Sequence, residues 1–251
     1  MSQQTNATPA VTGDRVTRKV RRLAAEFPEL GRVRHVEANP PSPKAWAVTL
    51  GFVAFCVIGA AIGNATVAGA LGMLPIWLAI CGGILWYYGG EKVVVFDRGL
   101  LIGSFAPFLR PHVVPFAQFA VGSITAVRPA WKLAAMLTPR TSLFTGRNTI
   151  WAFNGVAFVA VFGPVARRKY VDAAGTFSGH GARPSTAIVW WFATWRQPDR
   201  LVKALEAALV DLGHPVVGLS HHVLPLVRIS GKPADAATQV PRLVAALEQS
   251  F

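Results

Sequence analysis

The longest run of apolar positions lies between Lys44 and Glu91, where no Asp, Glu, Lys or Arg occurs. A bilayer core takes about 20 apolar residues per helix, so this run has the length of two spans. Its only polar break is Asn64-Ala65-Thr66. The pattern therefore predicts a transmembrane helical hairpin with spans at 45–63 and 67–88.

Aromatic residues mark the two outer ends of the predicted hairpin. The first span opens with Trp46, and the second closes with Trp86, Tyr87 and Tyr88. Trp and Tyr are enriched at membrane–water interfaces because their rings are amphipathic. We expect all four to act as interface anchors on the same side of the membrane.

Small residues recur at four-residue intervals along both spans. Gly59 and Gly63 lie on the first span, and Gly72 and Gly83 each lie four residues after an alanine on the second. Such spacing lets two helices approach closely. Packing within the hairpin and an oligomer interface are the two interpretations of these faces.

A basic amphipathic helix is predicted ahead of the hairpin. Apolar positions recur with helical spacing between Gly13 and Phe27, and a Pro-rich linker follows. The other faces of this helix are basic. They carry Arg15, Arg18, Lys19, Arg21 and Arg22. The helix either lies in the headgroup layer, where each cation is worth about 1 kcal/mol, or is solvated and only adds positive charge.

After Gly90 the pattern changes to short β-rich runs separated by turn residues. Asp97-Arg98-Gly99 separates the first two runs, and Asn154-Gly155 separates a later pair as a two-residue hairpin connector would. The runs predict an antiparallel sheet. They cover 92–96, 100–104, 112–116, 119–127, 149–154, 156–162 and 187–195.

Two amphipathic helices are predicted after these runs. The first extends from Pro198 to Leu212, because Pro and Asp199 suit a first turn and Gly213 would end the helix. The second covers about 235–249, after a possible strand. A long basic loop precedes both helices and is either solvated or in contact with lipid headgroups or an acidic protein. It begins with Arg167, Arg168 and Lys169.

Charge predicts the orientation and the partners. The net charge is +13, yet only 15% of the residues are charged against about 25% in a typical soluble domain. Basic residues flank the apolar run on both sides and are absent from its turn, so both termini are expected in the cytoplasm of a multi-pass inner-membrane protein. An anionic phospholipid is the nearest partner for such a charge, and no nucleic acid is expected.

No motif for catalysis, metal binding or a cofactor is present. The chain lacks a P-loop, GxSxG and HExxH, and Cys56 and Cys81 both lie in the apolar run. Neither span holds an Asp, Glu, Lys, Arg or His side chain, which argues against an ion pathway within it. We therefore expect a protein that is not an enzyme.

Three segments after the hairpin follow one another in order: VVVFDRGLLIG, then SITAV, then WWFATWRQPDRLVKALEAAL. This order resembles bacterial pleckstrin-homology-like (PH-like) domains found beside transmembrane segments, many of them in actinobacteria. The resemblance covers roughly residues 91–212. It implies a bent antiparallel sheet capped by a C-terminal helix, and a binding or scaffold role.

The predicted fold is thus α+β, with a two-helix transmembrane hairpin followed by a cytosolic PH-like domain. Its parts are a disordered tail 1–12, the helix and linker 13–44, the hairpin 45–90, the domain 91–213 and an extension 214–251. The expected function is that of a membrane-anchored module binding a protein partner or anionic lipid at the inner leaflet. Alternatives are an accessory subunit or homo-oligomer in a transport or secretion complex, and an enzyme acting on a lipid or envelope precursor.

Overall fold

The fold is mixed α+β, with two mostly antiparallel sheets and helices on both outer faces. These features come from a computed structural model. It describes residues 11–41, 43–63, 66–136, 146–147, 153–161, 187–194, 196, 198–232 and 235–249.

Sheet A is assembled from both sides of the predicted hairpin. Its strands follow chain order, with β1 parallel to β2 and the other pairs antiparallel. They are β1 Thr12–Gly13, β2 Val33–Ala38, β3 Glu91–Phe96, β4 Gly99–Ser104 and β5 His112–Pro115. The residue pattern of 13–44 predicted a helix and a linker, and β2, which lies between β1 and β3 in this sheet, was missed.

Sheet B has the order β10-β6-β8-β9-β7. Its strands are β6 Phe119–Arg128, β7 Gly146–Arg147, β8 Asn154–Val161, β9 Ala187–Thr194 and β10 Val227–Arg228. The predicted Asn154-Gly155 turn is wrong, because Gly155 lies opposite Ala193 inside the β8–β9 ladder. Glycine is needed there for space, since an added Cβ would lie 2.6 Å from the Cβ of Ala130.

One buried core joins both sheets to helix α4, Asp199–Asp211. The helix agrees with the predicted one, and Gly213 follows it with a φ of +83° as a helix-ending glycine does. Apolar side chains of all three elements meet in this core. They include Val93, Leu100, Ile102, Phe158, Trp190 and Leu205.

The outer face of sheet A is covered by α1, Arg18–Glu26. Val20, Leu23 and Phe27 are fully buried there, so the apolar face of α1 packs on protein. The helical spacing was predicted correctly, and contact of the basic residues with lipid headgroups or with solvent stays a prediction. The outer face of sheet A is apolar, with Val94, Phe96 and Leu101 among its side chains, so it must be buried, and α1 covers it.

The outer face of sheet B is covered by short helices. They are the 3₁₀ helix Ala130–Met136, α6 Ala236–Gln239 and α7 Pro241–Gln249, whereas α5 Leu219–Val223 contributes Val223 to the core between the sheets. A single helix was predicted over 235–249. It is broken before Pro241, because the residue that precedes a proline is disfavoured in helical conformation.

Two long helices, α2 Pro43–Ile62 and α3 Val67–Gly89, form a hairpin between β2 and β3. These two strands are neighbours in sheet A, and the Asn39 N–H donates to the Glu91 carbonyl (3.1 Å) beside the helices. We call this the hairpin end of sheet A. The opposite end, with the Asp97-Arg98 turn, is the far end.

The two hairpin helices differ in the length of their apolar stretch. Among the described residues, α2 alone meets this condition, with a mean hydropathy of 2.2 and 11% of its window buried. The apolar stretch of α3 is Leu71–Tyr87, which is shorter, although the helix itself has 23 residues.

Candidate functional site

A tight turn exposes Phe108 at the hairpin end. The Leu109 N–H donates to the Ala106 carbonyl (3.2 Å), with Pro107 and Phe108 between them. Phe108 has a φ of +66°, a conformation that glycine or asparagine usually takes at this position. Its side chain is 100% exposed. The chain therefore keeps an aromatic residue where both its backbone and its contact with water are unfavourable.

Helix α1 holds this turn in place. The Lys19 ammonium donates to the carbonyls of Ala106 and Leu109. Burial lowers the pKa of Lys19, and the nearby charges of Arg110 and Arg22 lower it further. Two of the three ammonium donors are used on backbone oxygens, so Lys19 positions the turn.

A cleft of about 480 Å³ opens between α1 and the turn, and we call it the basic cleft. Its lining contains four cationic side chains and one carboxylate, Glu26. The Glu26 carboxylate pairs with Arg22 (2.9 Å) and Arg110 (3.0 Å). Arg18 has no ion pair with any residue that the structure describes. The cleft therefore keeps an excess of positive charge. It is lined by Arg18, Lys19, Arg22, Leu23, Glu26 and residues 107–110.

A second cleft, of about 630 Å³, continues from the basic cleft to the base of the hairpin. Half-exposed Trp46 and Trp86 line its hairpin side, and Pro107 lines the other. The Ser104 hydroxyl donates to the Tyr87 carbonyl (3.3 Å), which ties β4 to α3. The basic cleft, the turn and the aromatic ends of the hairpin thus form one continuous surface. Tyr87 is also exposed, whereas the side chain of Tyr88 lies outside the described residues.

The basic residues predicted to contact the membrane surface do not share one face. Arg18, Lys19 and Arg22 line the basic cleft, but Arg15 lines a polar pocket and Arg21 a groove near the far end. A third group lies outside the described residues. It comprises Arg167, Arg168 and Lys169.

The polar pocket, of about 290 Å³, holds the carboxylates of Asp14 and Glu37 beside Lys92. Asp14 accepts from the Ala38 N–H (2.8 Å), and a Glu37 oxygen lies 3.2 Å from Nε2 of buried His35. Burial lowers the pKa of Lys92, and Asp14 opposes this. Both carboxylates are engaged with neighbouring strand residues, which favours a structural role. Among the described residues, no group of three His, Cys, Asp or Glu side chains could hold a metal ion.

The far-end groove, at about 740 Å³, is larger than the basic cleft, but its central cation is neutralised. Arg34 pairs with Asp97 and with Asp211 at 2.5 Å each. Burial acts to raise the pKa of Asp97, but the Arg32 N–H and the Arg34 guanidinium outweigh it and hold this pKa below its usual range. Hydrogen bonds to Asp211 and Asp97 likewise outweigh burial and raise the pKa of Arg34. This cluster ties sheet A to α4.

The glycines predicted to pack the two hairpin helices together do not lie between them. They are Gly59, Gly63, Gly72 and Gly83. An added Cβ would meet no atom within 4 Å at three of them, and at Gly63 only the backbone of its own helix. Phe52 and Trp77 instead make an edge-to-face contact between α2 and α3, with ring centres 5.8 Å apart. Packing within the hairpin was therefore the wrong interpretation, because larger side chains fill that contact.

Sequence reasoning missed Phe108 and Arg110. A signal was present, since Phe108 and Leu109 stand between Pro107 and Pro111 in a segment that joins two predicted strands. Apolar residues in a proline-bounded turn are unusual, because such turns mostly carry polar residues.

Comparisons with protein-family models, with curated proteins and with solved structures find no match. The functional assignment therefore rests on the chain's own residues. The feature that distinguishes this molecule is the continuous surface of cations and exposed aromatics at the hairpin end.

Proposed function

We propose that this chain is a membrane-anchored, non-enzymatic module, in which the helical hairpin holds a PH-like domain at the inner leaflet. There the domain binds anionic lipid or a protein partner. One observation carries the proposal: the hairpin replaces the loop between two neighbouring strands, β2 and β3. The chain enters α2 from β2 and leaves α3 into β3 through two short connections that lie side by side. These connections would hold the domain against the membrane surface.

The surface of the hairpin supports two spans. Large apolar side chains point outward along both helices, and a patch of this size is unfavourable in water. They include Phe55, Ile58, Ile62, Leu71 and Ile76. At about 1.5 Å per residue, the 23 residues of α3 are long enough for a bilayer core of about 30 Å. Since α2 starts and α3 ends at the hairpin end, the flanking positive charges favour a cytoplasmic domain with both termini inside.

The arrangement of the domain supports the PH-like part of the proposal. Two sheets share one core, and α4 closes it after the last long strand, as the resemblance implies. The N-terminal β1-α1-β2 segment and the hairpin after it are additions to that plan. Such a domain supplies surfaces for binding, and the engaged carboxylates of the polar pocket give no reason to assign catalysis.

Cysteine labelling tests the proposed topology. In a background with Cys56→Ala and Cys81→Ala, we place a single cysteine by Thr66→Cys, at the tip of the hairpin. The control is Val217→Cys, because Val217 is 81% exposed on the surface of the domain. We expect a membrane-impermeant thiol reagent to label position 66 in intact cells and position 217 only after permeabilisation. Labelling of both positions on the same side would contradict a spanning hairpin.

A second candidate function, that of a subunit in a larger membrane assembly, is favoured by the open glycine faces. Gly59, Gly72 and Gly83 leave room for another helix to approach closely. If this role is correct, Gly59→Leu with Gly83→Leu should dissociate an assembly seen by native mass spectrometry in mild detergent. Leu71→Val is the matched control. A monomer for the unmodified protein would count against the subunit role.

A further inference from the structure

We infer that the hairpin end of the domain is a second membrane contact, in which the Phe108 ring inserts between lipids while the basic cleft holds the headgroup phosphate of an anionic phospholipid. This inference rests on the proposed function, because it requires the hairpin to lie in the bilayer. It goes further by naming the residues and the class of ligand.

The aromatic part of the contact follows from the turn. A fully exposed phenylalanine in a left-handed backbone conformation has no stabilising role within the protein. Pro107 beside it lines the same cleft as Trp46 and Trp86 at the base of the hairpin. A bilayer that contains the hairpin would meet these rings at one level, where aromatic side chains are favoured.

The charged part follows from the balance within the cleft. Arg18, Arg22 and Arg110 line the cleft with a single carboxylate, Glu26, which pairs with Arg22 and Arg110, and Arg22 and Arg18 lie one helical turn apart on α1. Guanidinium groups match phosphate geometry with paired donors. An anion in the cleft would therefore meet several arginines, while Lys19 keeps the opposite wall in place.

The ligand is amphiphilic, because the walls of the cleft are of two kinds. Cations line α1, whereas Phe108, Pro107 and Leu109 line the turn. A free phosphate would use only the first wall. A phospholipid uses both, with its phosphate at the arginines and its acyl chains beside Phe108.

An environment-sensitive fluorophore at position 108 tests insertion. The full chain with Cys56→Ala, Cys81→Ala and Phe108→Cys is labelled and reconstituted into nanodiscs of phosphatidylcholine, with or without phosphatidylglycerol. The same fluorophore at Val217→Cys is the control, since Val217 follows α4 beyond Asp211 at the far end. We expect quenching by spin-labelled lipid at position 108 and by aqueous iodide at position 217. Transfer of an aromatic ring such as that of Phe108 from water into lipid favours the inserted state by tenfold or more.

Charge variants test the phosphate site on the same labelled protein. The triple variant with Arg18→Gln, Arg22→Gln and Arg110→Gln should abolish the gain in lipid quenching that phosphatidylglycerol produces. Each arginine removed should weaken the lipid-bound state by about fivefold. Three exposed arginines elsewhere supply a control of equal charge and should leave the gain unchanged. They are Arg21→Gln, Arg98→Gln and Arg242→Gln.

The outcomes separate this inference from the proposed function. A protein that does not incorporate into the nanodiscs would contradict the proposed function itself. If the protein incorporates but iodide quenches position 108 as strongly as position 217, the second contact is wrong. An equal loss in both triple variants would also overturn it, because a general charge effect needs no cleft. If soluble glycerol phosphate lowers the lipid quenching at position 108, the cleft takes a free anion, and the lipid assignment is overturned.

Discussion

The two ends of sheet A contain the same residue types but use them differently. At the far end, Arg34 lies between two carboxylates, Asp97 and Asp211, which neutralise it and tie β2 to α4. At the hairpin end, four cations and one carboxylate, Glu26, line the basic cleft, and Glu26 pairs with only two of the cations. The number of carboxylates within reach therefore decides whether an arginine joins protein elements or remains available for an anion.

Helix α1 contributes to both ends because of its period. Arg18 and Arg22 are four residues apart and lie on one side, towards the basic cleft. Arg21 lies on another side and lines the far-end groove. A cluster of five basic residues in the sequence is thus divided among separate surfaces, and their common charge does not give them a common role.

The largest expected effect comes from removing the hairpin. If the hairpin spans the membrane as proposed, replacing residues 40–89 by a short Asn-Gly turn should release a water-soluble domain, because β2 and β3 are already neighbours in antiparallel register. Ultracentrifugation of cell extracts and far-ultraviolet circular dichroism would check solubility and strand content.

The same soluble chain sharpens the comparison of the two ends. It should still bind phosphatidylglycerol vesicles through the hairpin end, and Phe108→Ser should reduce that binding, whereas Leu212→Ser near the far end should not. An insoluble product would mean that sheet A depends on the hairpin to fold. That result would contradict the idea that the hairpin is an insertion into an otherwise complete domain.

The next effect is a difference in stability between arginines at the two ends. Arg34→Ala should lower the free energy of unfolding by about 2 kcal/mol, since it removes charge-assisted hydrogen bonds from carboxylates. The bond to Asp97 dominates, because these side chains are only 20% and 21% exposed, whereas Asp211 is 60% exposed. Arg18→Ala should change stability by less than about 0.5 kcal/mol.

Chemical denaturation of the purified protein followed by tryptophan fluorescence would measure both variants. Arg34→Lys is the matched control, and it should recover part of the loss by keeping the charge without the planar fork. Equal effects of Arg18→Ala and Arg34→Ala would remove the distinction between a structural and an available cation.

The sequence predicted the regular elements well where the period was clear. The strands from Glu91 to Ser104 and helix α4 agree with the predicted runs within one or two residues. Alternating or helical apolar spacing decides such elements locally. β2 was missed because Arg34, His35 and Glu37 make it look polar, and its pairing with β3 depends on residues more than fifty positions away.

The candidate site was predicted only in part, for a related reason. The charge of α1 was evident, and three of its four cations line the basic cleft. Phe108 and Arg110 join them only because β4 ends beside the hairpin and Lys19 binds the turn from another element. Sequence spacing carries no information on such contacts. The basic residues 167–169 lie outside the described residues, so that expectation stays a prediction.

A smaller effect is expected from the strained residue at the hairpin end. Phe108→Asn should raise the free energy of unfolding by about 0.5–1 kcal/mol, because asparagine tolerates the left-handed conformation that phenylalanine avoids. Phe108→Ala removes the ring without relieving the backbone and should not stabilise the fold. Thermal unfolding in detergent would compare the three proteins. If the asparagine variant is no more stable than the alanine variant, the strain attributed to this turn is absent.

The smallest expected effect is on the pH dependence of stability at the far end. The pKa of Asp97 is lowered in the folded protein, so this carboxylate stabilises the fold above its unfolded pKa of about 4. That stabilisation is lost as the pH falls through the lower, folded pKa. Asp97→Asn cannot titrate, so its deficit relative to the unmodified protein should be full at neutral pH and should shrink below about pH 4. Melting temperatures measured across this range give the deficit directly. Glu26→Gln gives the matched comparison at the hairpin end. A deficit for Asp97→Asn that does not change with pH would mean that the Arg34 pair adds nothing to the fold through charge, and the two ends of sheet A would then differ only in exposure.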